Sequence, residues 1–109
     1  MCFFRRKKVA DKVKEDRELV ETNSKAIEAL IILAQNDDVI VNELKGVQEK
    51  LKYLVPSDNS KVFDYDKSIK NKIGDLRIVL TKSDGEVTKK ANDILTDIKL
   101  AIADRNTRL

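Results

Sequence analysis

Apolar residues recur at spacings of three and four along almost the whole chain. Ile40, Leu44, Val47, Leu51 and Leu54 form one series. Val62, Ile69, Ile73, Leu76 and Leu80 form a second, and Val87, Ala91, Ile94, Ile98, Ala101 and Ile102 a third. At 3.6 residues per turn, such spacing gathers each series into a single stripe along a helix. A striped helix gains most of its stability by covering that stripe. Three stripes in one short chain therefore predict a helical bundle.

An earlier series, Val9, Val13, Val20, Ile27, Leu30, Ile31 and Ala34, predicts a first helix from about Lys7 to Gln35. Its stripe is thin in the middle, where Asp16 and Asn23 occupy positions that apolar residues should use. Thr22-Asn23-Ser24 also favours local side-chain bonds to the backbone over helix. A fresh start capped by Ser24 would account for that gap. From Ile27 to Ala34 the helix is apolar on more than one face, which predicts deep burial at that end.

Three breaks separate the helices. Gln35-Asn36-Asp37-Asp38 reads as a turn, with Asn36 able to close the first helix in the left-handed conformation. Asp37 or Asp38 would cap the second helix, which runs to about Leu54 with Gly46 inside it. Pro56 and Ser57-Asp58-Asn59-Ser60 make the clearest loop, with Ser57 or Ser60 as cap for the third helix. Ser83-Asp84-Gly85-Glu86 has the spacing of a capping box, Ser followed three residues later by Glu, before a fourth helix ending near Arg105. Short connections favour antiparallel neighbours. The expected fold is all-α, an antiparallel up-down four-helix bundle, or a three-helix core with a long projecting N-terminal helix. Residues 7–109 form one helical-bundle domain, and residues 1–6 a flexible basic and aromatic tail. The same stripes could serve a coiled-coil dimer, but the two reversals around 35–38 and 83–85 favour closure within one chain.

Composition narrows the chemistry more than the fold. A length of 109 residues fits one domain, and 41% apolar with 5% aromatic residues implies a core of Ile, Leu, Val and Ala. With 38% charged residues the solvent face is densely ionic. There is no His to activate a Ser or Cys nucleophile, and the single Cys2 excludes an internal disulfide and every multi-cysteine zinc pattern. The three glycines are isolated, so no phosphate-cradling loop is present. Asp37-Asp38, Asp64 with Asp66, and Asp93 with Asp97 are the closest carboxylate pairs. The first turns of a helix explain Asp64 and Asp66, and a solvated helix surface explains Asp93 and Asp97. No catalytic, cofactor-binding or metal residue is therefore assigned, and the expectation is a protein that is not an enzyme.

The charge is uneven. Residues 1–17 carry seven basic and three acidic groups, whereas residues 18–109 carry 15 basic and 16 acidic ones. The basic excess lies in Phe3, Phe4, Arg5, Arg6, Lys7 and Lys8 and the turns that follow. Rings can enter a headgroup layer while basic side chains meet anionic lipid, each contributing about 1 kcal/mol. The same residues could instead hold nucleic-acid phosphates, or be a solubilising start. Val55, Pro56, Phe63 and Tyr65, around the loop between helices two and three, form a candidate partner surface. No segment reaches the length of a membrane span and no signal peptide is read at the start, which gives a cytoplasmic, membrane-peripheral expectation. The expected function is a non-catalytic helical interaction or adaptor protein, with a protein partner, an anionic membrane surface and a second copy as candidate partners. A small nucleic-acid-associated helical protein is the alternative.

Overall fold

In the computed structural model, residues 2–81 and 87–108 are described, with side chains from 11 to 81 and from 89 to 108. Four helices follow one another: α1 (Cys2–Leu33), α2 (Asp38–Lys52), α3 (Ser60–Thr81) and α4 (Val87–Asn106). No strand occurs among the described residues. The fold is all-α and a four-helix bundle.

The expected stripes supply the core. Ile40, Leu44, Val47 and Leu51 of α2 meet Ile69, Ile73 and Leu76 of α3 and Ala91, Ile98 and Ile102 of α4 in one buried cluster. On α4 the register is tilted slightly from the expected stripe. Leu95 is fully buried, while Ile94 only packs against the edge of the cluster. From α1, Val20, Ile27, Leu30 and Ala34 join the same cluster.

The helix ends follow local chemistry, with corrections. α1 is continuous through Thr22-Asn23-Ser24, so no new start occurs at Ser24. Thr22 Oγ1 donates back to the Glu18 carbonyl at 2.8 Å, which is compatible with unbroken helix. Helical backbone also reaches Cys2, upstream of the expected start at Lys7. No non-glycine residue described has positive φ, so Asn36 does not close α1 in the left-handed conformation. Instead the turn is held by Asp37 N–H on the Ala34 carbonyl at 2.8 Å. Asp37 caps α2 as expected, its carboxylate accepting from Val39 and Ile40 N–H at 3.1 and 3.2 Å. α3 is capped by Asn59 rather than by either serine: Asn59 Oδ1 accepts from Lys61 N–H at 2.9 Å. Ser57 acts one step earlier, its Oγ accepting from Asn59 N–H at 3.1 Å. The capping box at 83–86 lies outside the described residues.

The arrangement of helices differs from a simple sequential ring. α1 packs on α2 and α3, and α4 packs on α2 and α3, but among the described residues no backbone contact pairs α2 with α3 or α1 with α4. Consecutive helices α2 and α3 therefore stand on a diagonal. The short turn at 34–37 makes α1 and α2 an antiparallel hairpin. α3 and α4 form the other, and the two hairpins lie side by side. The connection from Tyr53 to Asn59 must cross the end of the bundle. That crossing brings loop backbone over the middle of the molecule, where a polar cluster lies.

Gly46 sits on an exposed part of α2, and an added Cβ there would meet nothing within 4 Å. No neighbouring helix uses its small size. Gly46→Ala should stabilise the protein by about 1 kcal/mol through helix propensity alone. Urea unfolding should show a higher midpoint at unchanged slope. A lower midpoint would mean that this face of α2 is covered.

Candidate functional site

Three helix stripes each contain a polar residue at a core position, and the fold brings them to one point. Asp16 lies one turn before Val20 on α1, Asp66 between Val62 and Ile69 on α3, and Arg105 one turn after Ile102 on α4. All three side chains are wholly buried. Arg105 Nε donates to Asp66 Oδ1 at 2.7 Å, and its Nη2 donates to Asp16 Oδ2 at 3.1 Å. The same Nη2 donates to the Val55 carbonyl at 3.0 Å, and Ser57 N–H donates to Asp16 Oδ2 at 2.8 Å. Asn23, also buried, reaches the Asp66 carbonyl through Nδ2 at 3.1 Å. One guanidinium thus joins α1, α3, α4 and the crossing loop. Outside the cluster, Asn59 Nδ2 donates to the Arg108 carbonyl at 3.1 Å and ties the loop to the end of α4.

The charges do not balance if both carboxyls ionise. Burial, then the hydrogen-bonded Asp16 carboxyl, push Asp66 from 3.8 up to about 7, against the downward pull of Arg105. A proton on Asp66 turns it into a donor to Asp16 and leaves one carboxylate facing one guanidinium. The cluster is closed to solvent on every side, so its carboxyls can order backbone but have no access to a solute. No group of three or more His, Cys, Asp or Glu among the described residues is placed to hold a metal ion.

The network corrects the reading of Asp66 as an acid explained by the first turns of a helix: it is buried against Arg105 instead. It also gives the thin middle of the α1 stripe its physical cause, since Asp16 and Asn23 do use the buried positions, with polar partners instead of oil. Arg105 was legible as well, because it continues the α4 stripe at Ile98, Ala101 and Ile102. The signal was an acid on two stripes and a base on a third.

The residues singled out by sequence are placed apart. Val55 is 59% exposed, and Pro56 is half-buried beside it. Phe63 faces α1 across a shallow groove lined by Lys12, Glu15, Ser57, Asp58 and Ser60, with Lys67 Nζ 4.8 Å from its ring centre. Tyr65 lies on the other flank of α3, with Lys61, Asp64, Ser68 and Arg108. The buried face of Asp66 and Val62 separates the two rings, so Phe63 and Tyr65 lie on opposite flanks of α3. The side chains of Phe3, Phe4, Arg5, Arg6, Lys7 and Lys8 lie outside the described residues. Asp93 and Asp97 are exposed on α4.

A different surface stands out. From Ile27 to Ala34 the second apolar face of α1 is not covered, contrary to the expected deep burial: Ile32 is 66% and Leu33 44% exposed. That face borders a groove between α1 and α3 of about 390 Å³, floored by Ala26, Ala29, Leu30, Ile73 and Gly74. Small side chains keep it open, and an added Cβ on Gly74 would touch nothing within 4 Å.

No family model, curated protein or solved structure matches the chain.

The buried acid makes stability depend on pH. Because Asp66 holds its proton more tightly folded than unfolded, its contribution is complete below about pH 4 and is lost as pH rises through about 7. Above that, folding must bury two carboxylates against one cation. The urea midpoint should fall between pH 5 and pH 8. Asp66→Asn, which mimics the protonated acid, should remove most of that fall. An equal slope in both proteins would show that Asp66 is ionised throughout.

Proposed function

We propose that this chain is a non-catalytic helical interaction protein that binds a protein partner along the α1–α3 groove. The observation that carries the reading is the uncovered apolar face of α1 beside that groove. Exposed apolar side chains beside an open groove are a feature that binding surfaces use. Burial of the Asp16–Arg105–Asp66 cluster supports a structural use for its carboxyls, since general acid–base work requires reach to a substrate.

A photo-reactive amino acid at Ala29, in the groove, should cross-link one discrete protein in cell extract. The same group at Asp97, exposed on α4, should not. Equal cross-linking from both positions, or none from Ala29, would remove the groove from the reading.

Peripheral attachment to an anionic membrane is a separate part of the proposal, supported by the sequence Phe3-Phe4-Arg5-Arg6-Lys7-Lys8. No described helix is long and apolar enough to cross a membrane. Vesicles containing anionic lipid should bind the chain, neutral vesicles should not, and Phe3→Ala with Phe4→Ala should weaken binding. Salt-sensitive binding to duplex DNA without vesicle binding would transfer the segment to the nucleic-acid alternative.

A further inference from the structure

The groove between α1 and α3 has a chemical polarity as well as a shape. Its lining contains two cationic side chains, Lys70 and Arg77, one on either side of Gly74, and no acidic one. Helical position carries the same pattern outward. At 100° per residue, Lys67 and Ile78 lie on the outer margin of α3, and Lys25 and Ile32 on that of α1. All four are exposed. The acids of α3 are elsewhere: Asp66 faces the core, and by the same geometry Asp64 and Asp75 fall on the side away from α1. On α1, Glu21 and Glu28 turn away from the groove. Glu18 lies near its lower end, one turn before Thr22.

The dimensions suit a helix. The lining runs along α1 from Thr22 to Leu33 and along α3 from Lys70 to Thr81. Eleven steps of 1.5 Å give about 16 Å on each wall, the length of three turns. Ala26, Ala29 and Gly74 along the floor allow another backbone to come close. The uncovered Leu33, Ile32 and Ile78 would extend the apolar contact at the upper end.

We infer that the α1–α3 groove receives an amphipathic helix of a protein partner, its apolar stripe on the groove floor and its acidic flanks against Lys70 and Arg77. Apolar residues at three- and four-residue spacing enter between the walls, as in other helix-in-groove recognition. Carboxylates on the flanks meet walls whose charged lining side chains, Lys70 and Arg77, are both cationic. The charges then select among amphipathic helices that the apolar floor alone would accept alike. This rests on the proposed interaction function and names the partner's chemistry.

The test uses the whole chain and two synthetic peptides of roughly four turns, each with the same leucine stripe. One carries Glu on its flanks and the other Lys. Fluorescence anisotropy at low salt should show the Glu-flanked peptide binding at least about tenfold more tightly, equivalent to ~1.4 kcal/mol. Lys70→Glu with Arg77→Glu should reverse the order. Gly74→Gln should weaken the acidic peptide while leaving thermal stability unchanged or higher, since the position is open and glycine is a poor helix former. Equal binding of both peptides, tighter binding of the Lys-flanked one, or no binding of either would overturn the inference. So would a dimer in sedimentation that Gly74→Gln dissociates, because the occupant would then be a second copy. Cross-linking from Ala29 without preference for the acidic peptide would leave the interaction reading standing and defeat this inference alone.

Discussion

The architecture depends on burying Arg105 between two carboxyls. Its guanidinium is wholly enclosed and makes bonds to α1, α3 and the loop that joins α2 to α3. Taking such charges out of water is costly, and their mutual attraction repays that cost only when the geometry is good. The gain lies in the penalty on alternatives. An apolar stripe tolerates sliding by a turn, since one leucine resembles another. Moving either hairpin past its neighbour here would strand a buried ion, a penalty of roughly 3–5 kcal/mol. Leucine, isoleucine and valine supply the attraction between the helices, and the ions fix their relative height.

The crossing loop follows from the same constraint. A diagonal path from Tyr53 to Asn59 exposes backbone polar groups to the end of an apolar core, where they need partners. Val55 gives its carbonyl to Arg105, and Ser57 gives its N–H to Asp16. Ser57 and Asn59 then hand the chain to α3 through successive side-chain acceptors. The end of the bundle is thereby organised by charge, whereas the region around Leu33 and Ile78 is loosely covered and apolar. This contrast along one axis separates the end tied by ion pairs from the surface proposed for binding.

Periodicity made the helices and most of the core legible before any coordinates. Ile40, Leu44, Val47 and Leu51 needed only the rule of threes and fours, and Asp37 revealed itself as a cap by its place before them. The diagonal was not legible. A seven-residue loop is compatible with adjacent or opposed helices, and only packing decides between them. The polar cluster was half visible: Asp16 and Asn23 interrupted a stripe, but their partners on other helices, Arg105 and Asp66, are 89 and 43 positions away. An interruption resembles weakness until the opposite charge on another stripe is matched to it. The groove misled for a related reason. Two apolar faces on one helix normally signal complete enclosure, and here α2 and α3 cover only one of them.

The separation in sequence between Asp16 and Arg105 is 89 residues. As the chain is synthesised, α1 and α2 can pair early, because the turn between them is short and their contacts are local. α3 then brings a second acid against the first with no cation beside them. Only when α4 is complete does Arg105 bring a cation to the pair. The lock between the two hairpins is therefore complete only when the last of the four helices is in place, and a chain cut short before Arg105 would leave Asp16 and Asp66 without their buried cation.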